Sequence, residues 1–115
     1  MPSDKPAIVF FHRGRIPFYL QCAMESARAF NRKSKMYLVS DQQDVWPTLG
    51  VRVVNIQETL HPQLEEFRRL YKHIASTKEQ YEKTCFERWF HIEQLMLKEG
   101  FDRVVYLDSC LLYTF

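Results

Sequence analysis

The chain reads as an α/β layer fold, a mostly parallel sheet of about four strands flanked by helices. Short runs rich in Val, Ile and aromatic residues recur along it: AIVFFH (7–12), MYLVS (36–40), VRVVNI (51–56) and RVVYL (103–107). Continuous apolar runs of this length mark strands buried on both faces. Most are separated by longer segments with apolar residues at helical spacing, the pattern of crossovers in a parallel sheet. Right-handed crossovers then leave only a few doubly wound topologies. At 115 residues the chain is one domain's worth, with a modest core.

Each element has its own signal. After the first strand, RGRIP breaks the apolar run, and Pro17 suits the first turn of a helix. Leu20, Ala23, Met24, Ala27 and Phe30 follow at helical spacing. The cluster Arg32, Lys33 and Lys35 reads as a solvated helix exit favoured by the helix dipole. The second strand ends in Asp41, and a polar link with Trp46 and Pro47 leads to the third. Pro62 opens a second helix, with Glu65 and Glu66 in its first turn and Leu64, Phe67, Leu70, Tyr71 and Ile74 as its apolar side. Ser76-Thr77-Lys78-Glu79 reads as a stop and a capping-box restart. A third helix runs to about Glu99 with Cys85, Phe86, Trp89, Ile92, Leu95 and Met96, and Gly100 fits its C-terminal cap.

Composition narrows the functional classes. Hydrophobic content of 46% and charged content of 26% are ordinary for a globular domain. Sixteen basic against 14 acidic residues give +2, too weak and too dispersed a bias to predict nucleic-acid binding. Cys22, Cys85 and Cys110 are odd in number and far apart, so neither a disulfide framework nor a zinc site is expected. MPSDKP has no apolar core segment and is not a signal peptide. No apolar run approaches the ~20 residues that span a bilayer. The expectation is a cytoplasmic protein without a membrane segment.

Polar residues gather where the strands end. The first strand delivers His12-Arg13-Gly14-Arg15, the second Ser40-Asp41, and the fourth Asp108-Ser109. In doubly wound sheets ligands sit outside these carboxyl ends, where strand order reverses. With glycine only at Gly14, Gly50 and Gly100, neither GxGxxG nor a P-loop exists. A phosphate ligand would need cationic side chains, or a hard divalent ion on carboxylate oxygens. A phosphoryl-transfer receiver would need an acidic pair where the chain has His12-Arg13, and fits poorly. Each residue also has a plainer role. Asp108 and Asp41 suit turns, Arg13 and Arg15 suit solvated loop cations, and Arg88 suits an ion pair with Glu87 or with a helix neighbour at the surface. Phe86, Trp89 and Phe90 read as core, and His73 and His91 as partly exposed or hydrogen-bonded.

The closing RVVYLDSCLLYTF resembles the D-x-D segment of GT-A glycosyltransferases, in which a hydrophobic strand runs into YLDSD and an aliphatic stretch. CFERWFHIEQLMLKEGFD resembles the helix before that segment. IVFFHRGRIPFYLQCAMESARAFN followed by KMYLVSD resembles the family's first strand, helix and second strand. The likeness covers essentially the whole chain.

The resemblance implies a Rossmann-like donor-binding half for a UDP- or GDP-sugar. Donor contacts carry over onto His12, Arg13, Gly14, Arg15 and Asp41, onto Arg88 in ERWF, and onto Asp108 and Ser109. The metal-contacting positions, for Mn²⁺ or Mg²⁺, carry over onto Asp108 and Cys110. Cys110 stands where the family has its second carboxylate. A thiol with a pKa near ~8.5 is mostly neutral at pH 7, and sulfur is a soft ligand for these ions. Weak metal binding and weak or absent transfer follow as expectations. The family's acceptor-binding half comes after this segment, so the expectation is an incomplete domain, whose catalytic base is not readable. The alternative is a non-catalytic nucleotide-sugar-binding or protein-interaction module, self-associating through Leu111–Phe115.

Overall fold

The computed structural model describes residues 5–42, 50–72 and 79–107. Strand β1 (Ala7–His12) leads into helix α1 (Phe18–Phe30), and β2 (Met36–Ser40) and β3 (Val51–Asn55) follow. A 3₁₀ turn (Ile56–Thr59), the short helix α2 (Leu64–Leu70), the long helix α3 (Glu79–Glu99) and β4 (Val104–Tyr106) complete the order. The four strands form one sheet in the order β3-β2-β1-β4, and every pairing is parallel. Strand order steps outward from β1 to β3 and then returns to the far side of β1. The reversal therefore falls between β1 and β4, and it defines the topological switch point.

The side-chain period of two divides the core into two layers. Ile8, Phe10, Met36 and Leu38 face Leu20, Met24 and Ala27 of α1. Ala7, Val9, Phe11, Tyr37, Val39 and Val54 face Ile92 and Leu95 of α3. Central strands buried on both faces explain why β1 and β2 are almost wholly apolar. Helix α3 runs antiparallel to the strands: Glu87 meets Arg13 beyond the exit of β1, while Glu99 pairs with Arg52 near the start of β3. Gly100 ends the helix at φ +77°, and its N–H and that of Phe101 both donate to Met96 O. This is the left-handed exit that glycine tolerates at no steric cost.

Several boundaries and placements differ from expectation. Strand β3 stops at Asn55 because its side chain and that of Glu58 form a reciprocal capping box, which starts the 3₁₀ turn at Ile56. Helix α2 ends at Leu70, with Tyr71 already in extended geometry. Leu70 is exposed, as is Phe30 at the end of α1, so neither joins the apolar side assigned to it. Phe86 and Trp89 are about half exposed (49% and 50%) rather than core. Phe86 packs sideways on Phe67 and Tyr71 of α2. Trp89 lies against Tyr106 on β4, the edge strand of the sheet. The opening residues 1–4, the link with Trp46 and Pro47, the segment with His73, Ile74 and Ser76 to Lys78, and Asp108 to Phe115 lie outside the described residues. Among the described residues, no helix is long and apolar enough to cross a membrane.

Candidate functional site

The exit of β1 is a tight loop built on local hydrogen bonds. His12 Nε2 donates to Arg15 O at 2.8 Å. The N–H of Gly14, at φ +86°, donates to Asp41 Oδ1 at 2.9 Å, just past the end of β2. The left-handed backbone at this point favours glycine. Asp41 therefore ties the exits of β1 and β2 together. Five of the residues singled out in the sequence, His12 to Arg15 and Asp41, form one constellation at the carboxyl edge.

Arg13 points out of that loop toward α3. Its Nη2 lies 3.3 Å from Glu87 Oε2. Arg68 of α2 meets the same carboxylate, with Nε at 2.5 Å from Oε1 and Nη2 at 3.4 Å from Oε2. Glu87 is only 2% exposed, so one buried carboxylate serves two guanidiniums from two elements. That bond and the opposite charge raise the Arg68 pKa above its ordinary value. The expected alternative, Glu87 with Arg88, gives way to this arrangement.

One turn further along α3, His91 is completely buried. The Thr59 hydroxyl donates its one proton to Ile56 O at 3.1 Å, which makes it the acceptor for His91 Nδ1 at 2.9 Å. The imidazole is then the neutral Nδ1–H tautomer. Burial, followed by the charge of Arg13, lowers its pKa from 6.5 to about 4. Nε2 makes no hydrogen bond among the described residues.

On the other side of β1, Arg88 lies at the exit of β4. Its guanidinium carbon is 5.0 Å from the ring centres of both Trp89 and Tyr106, and Nη1 reaches Tyr106 Oη at 3.3 Å. Cation–π contact and a hydrogen bond fix the plane of the guanidinium. Tyr106 is two residues before Asp108. Asp108, Ser109 and Cys110 themselves lie outside the described residues.

The sequence singled out the first loop and Arg88 and read His91 as partly exposed or hydrogen-bonded, of which the second holds, but passed over Arg68, Thr59 and the shared role of Glu87. The signal was present. Glu87, His91 and Leu95 are spaced i, i+4, i+8 on one buried face of α3, so a carboxylate and an imidazole occupy places an ordinary core helix gives to apolar residues. Because α3 is antiparallel to the strands, its buried stripe turns polar where it passes their carboxyl ends.

Among the described residues, no group of three or more His, Cys, Asp and Glu could hold a metal ion. As chemistry, the pair Asp108 and Cys110 offers one hard oxygen donor and one soft sulfur. That set fits Mn²⁺ or Mg²⁺ only with further oxygens from a bound diphosphate.

No protein-family model, no curated protein and no solved structure matches this chain. The class that fold and site define is an α/β protein with a four-stranded all-parallel sheet between helices, in keeping with a Rossmann-like arrangement.

Proposed function

We propose that this chain is the donor-binding part of a glycosyltransferase, which moves a sugar from a nucleotide-sugar to an acceptor. The observation that carries the reading is the reversal of strand order between β1 and β4. The loop His12 to Arg15 leaves one side of it, and Arg88 lies over Tyr106 on the other. The switch point of an open parallel sheet is where such folds bind nucleotides. In the sequence the motif YLDS begins at Tyr106. In this reading Arg15 and Arg88 offset the charge of the donor diphosphate, and Asp41 holds the loop in place through Gly14. Asp108 supplies a carboxylate toward the sugar or a divalent ion. A bound Mn²⁺ or Mg²⁺ would add charge to stabilise the departing diphosphate.

Cys110 favours a second reading, a non-catalytic nucleotide-sugar-binding module, because a neutral thiol replaces a hard ligand. Calorimetry with UDP- and GDP-sugars, with and without Mn²⁺, tests both. Saturable binding of one nucleotide class is expected. It should weaken by about tenfold in Arg88→Ala, the loss of one charge-assisted contact, and strengthen in Cys110→Asp only when Mn²⁺ is present. Failure of every nucleotide-sugar to bind overturns the proposal. Binding without any turnover, in both the natural chain and Cys110→Asp, selects the module.

A further inference from the structure

We propose that the cleft beside Arg13 and Arg68, on the β3 side of the sheet, binds a phosphate-class oxyanion carried on a small organic body. The cleft has a volume of about 440 Å³, and its walls include Arg13, Gln57, His61 and Arg68 with Ile56 and Leu64. That volume lies in the roughly 300–1,000 Å³ range of small-molecule sites and exceeds what a bare ion needs.

Charge and geometry set the ligand class. Arg13 and Arg68 share the single buried carboxylate of Glu87, so the trio carries one positive charge in excess. Only Glu87 is buried; both guanidiniums are partly exposed, so an oxyanion can reach them and would complete the alternation of signs. Donors are available for it. Glu87 takes Nη2 of Arg13 and Nε and Nη2 of Arg68, leaving Nη1 of each guanidinium unused by that carboxylate. Nε of Arg13 is itself buried and is not among these accessible donors. Glu87 holds Arg68 by two hydrogen bonds and lies 3.3 Å from Arg13, so the two guanidiniums are brought together before a ligand arrives and less ordering remains for binding. Two guanidiniums so held suit the several oxygens of a phosphate.

Of the remaining ionisable groups, Glu65 also lines the cleft, and its charge adds to that of Glu87 in raising the Arg68 pKa; it is exposed, so solvent screens it in part. His61 Nε2 lies 3.6 Å from Glu93. His91, behind Arg13, is held neutral by burial. Ile56 and Leu64 are buried and exclude water from one wall, which strengthens charge interactions inside.

The probe is inorganic pyrophosphate, titrated into the intact chain by calorimetry at fixed low ionic strength. Saturable binding is expected, weakened about tenfold or more in Arg68→Gln. Arg69→Gln makes the same charge change one residue away, where the side chain pairs with Glu66 on the surface, and is expected to leave binding unchanged. Malonate at equal ionic strength should bind at least about tenfold more weakly. Equal binding would overturn the phosphate class. NMR of arginine Nε–H groups on the unmutated chain adds a measurement that survives any folding defect in the variants. The Arg13 and Arg68 signals should shift saturably while those of Arg52 and Arg69 stay in place. No saturable binding, equal loss in the two glutamine variants, or shifts confined to Arg88 would overturn the proposal. Nucleotide-sugar binding through Arg88 is a separate outcome, so either reading can fail while the other stands.

Discussion

His91 shows how a single residue makes the carboxyl edge sensitive to pH. Folding buries its imidazole next to Arg13 and holds its pKa near 4, against 6.5 for a histidine in water. Between these values the unfolded chain binds a proton that the folded one refuses. Stability therefore rises with pH from about 4 to about 6.5 and is flat above, and the histidine alone contributes on the order of 2 kcal/mol to that slope. His91→Asn keeps a donor toward Thr59 but has nothing to titrate. Urea midpoints measured from pH 4.5 to 7 should climb in the natural chain and climb markedly less in His91→Asn. Parallel curves would show that the slope comes from other groups. At this scale the sequence was only half legible. His12, Arg13 and Asp41 were visible because they follow strands at a predictable edge. Glu87 and His91 were hidden inside a helix whose other buried positions are apolar, and only their spacing with Leu95 sets them apart.

At the scale of elements, the junctions carry the information. Arg28, in the last turn of α1, donates through Nη1 to Ser34 O at 2.9 Å and to Asn31 O and Arg32 O at 3.2 Å. Its Nη2 donates to Gly50 O at 3.1 Å, just before β3 begins. One guanidinium thus closes the helix exit and ties it to the entry of a strand two places away in the chain. Bonds to charged donors are worth about 1.5–3 kcal/mol each when solitary, but these share one cation that is partly exposed. Arg28→Ala is expected to lower stability by about 2–3 kcal/mol. Arg28→Lys should recover less than half of that, because an ammonium cannot span divergent carbonyls. Urea unfolding of the two variants decides between a geometric clamp and a simple dipole effect, for which lysine would suffice. The strands were legible as elements because central parallel strands must be apolar on both faces. Their junctions were less so. The Asn55 and Glu58 capping box was written in the sequence, yet the Val-rich run before it carried the strand assignment one residue too far. Phe86 and Trp89 matched the helical period but had no layer beyond them, since helical spacing shows which residues share a face and not whether anything covers it.

For the whole molecule, the consequence of the topology is that two cores share one sheet. Phe10 points into the α1 layer and Leu95 lies in the α3 layer, both with no exposed surface. Strands β1 and β2 contribute to both layers on alternate residues, so neither core can melt while the other keeps its backing. Large-to-small substitution in a packed core costs about 3–5 kcal/mol for Phe→Ala and about 2–5 kcal/mol for Leu→Ala. Stabilities of single domains are about 5–15 kcal/mol. Each single variant, Phe10→Ala or Leu95→Ala, should therefore fold and unfold in one transition at lower urea. Phe10 and Leu95 are on opposite faces with the sheet between them, so their effects should add to within about 0.5 kcal/mol. The double variant should then be largely unfolded, or nearly so, at 25 °C. The decisive measurement compares far-UV dichroism, which follows all helices and strands, with tryptophan fluorescence, which includes Trp89 of α3. Coincident curves in both single variants, with unchanged slope in urea, are the expected result. A Leu95→Ala variant that loses the fluorescence transition first, while α1 and the sheet persist, would show that the α3 layer with its Glu87 cluster is a separately melting unit. The carboxyl edge would then be held by α3 docking alone rather than by the sheet.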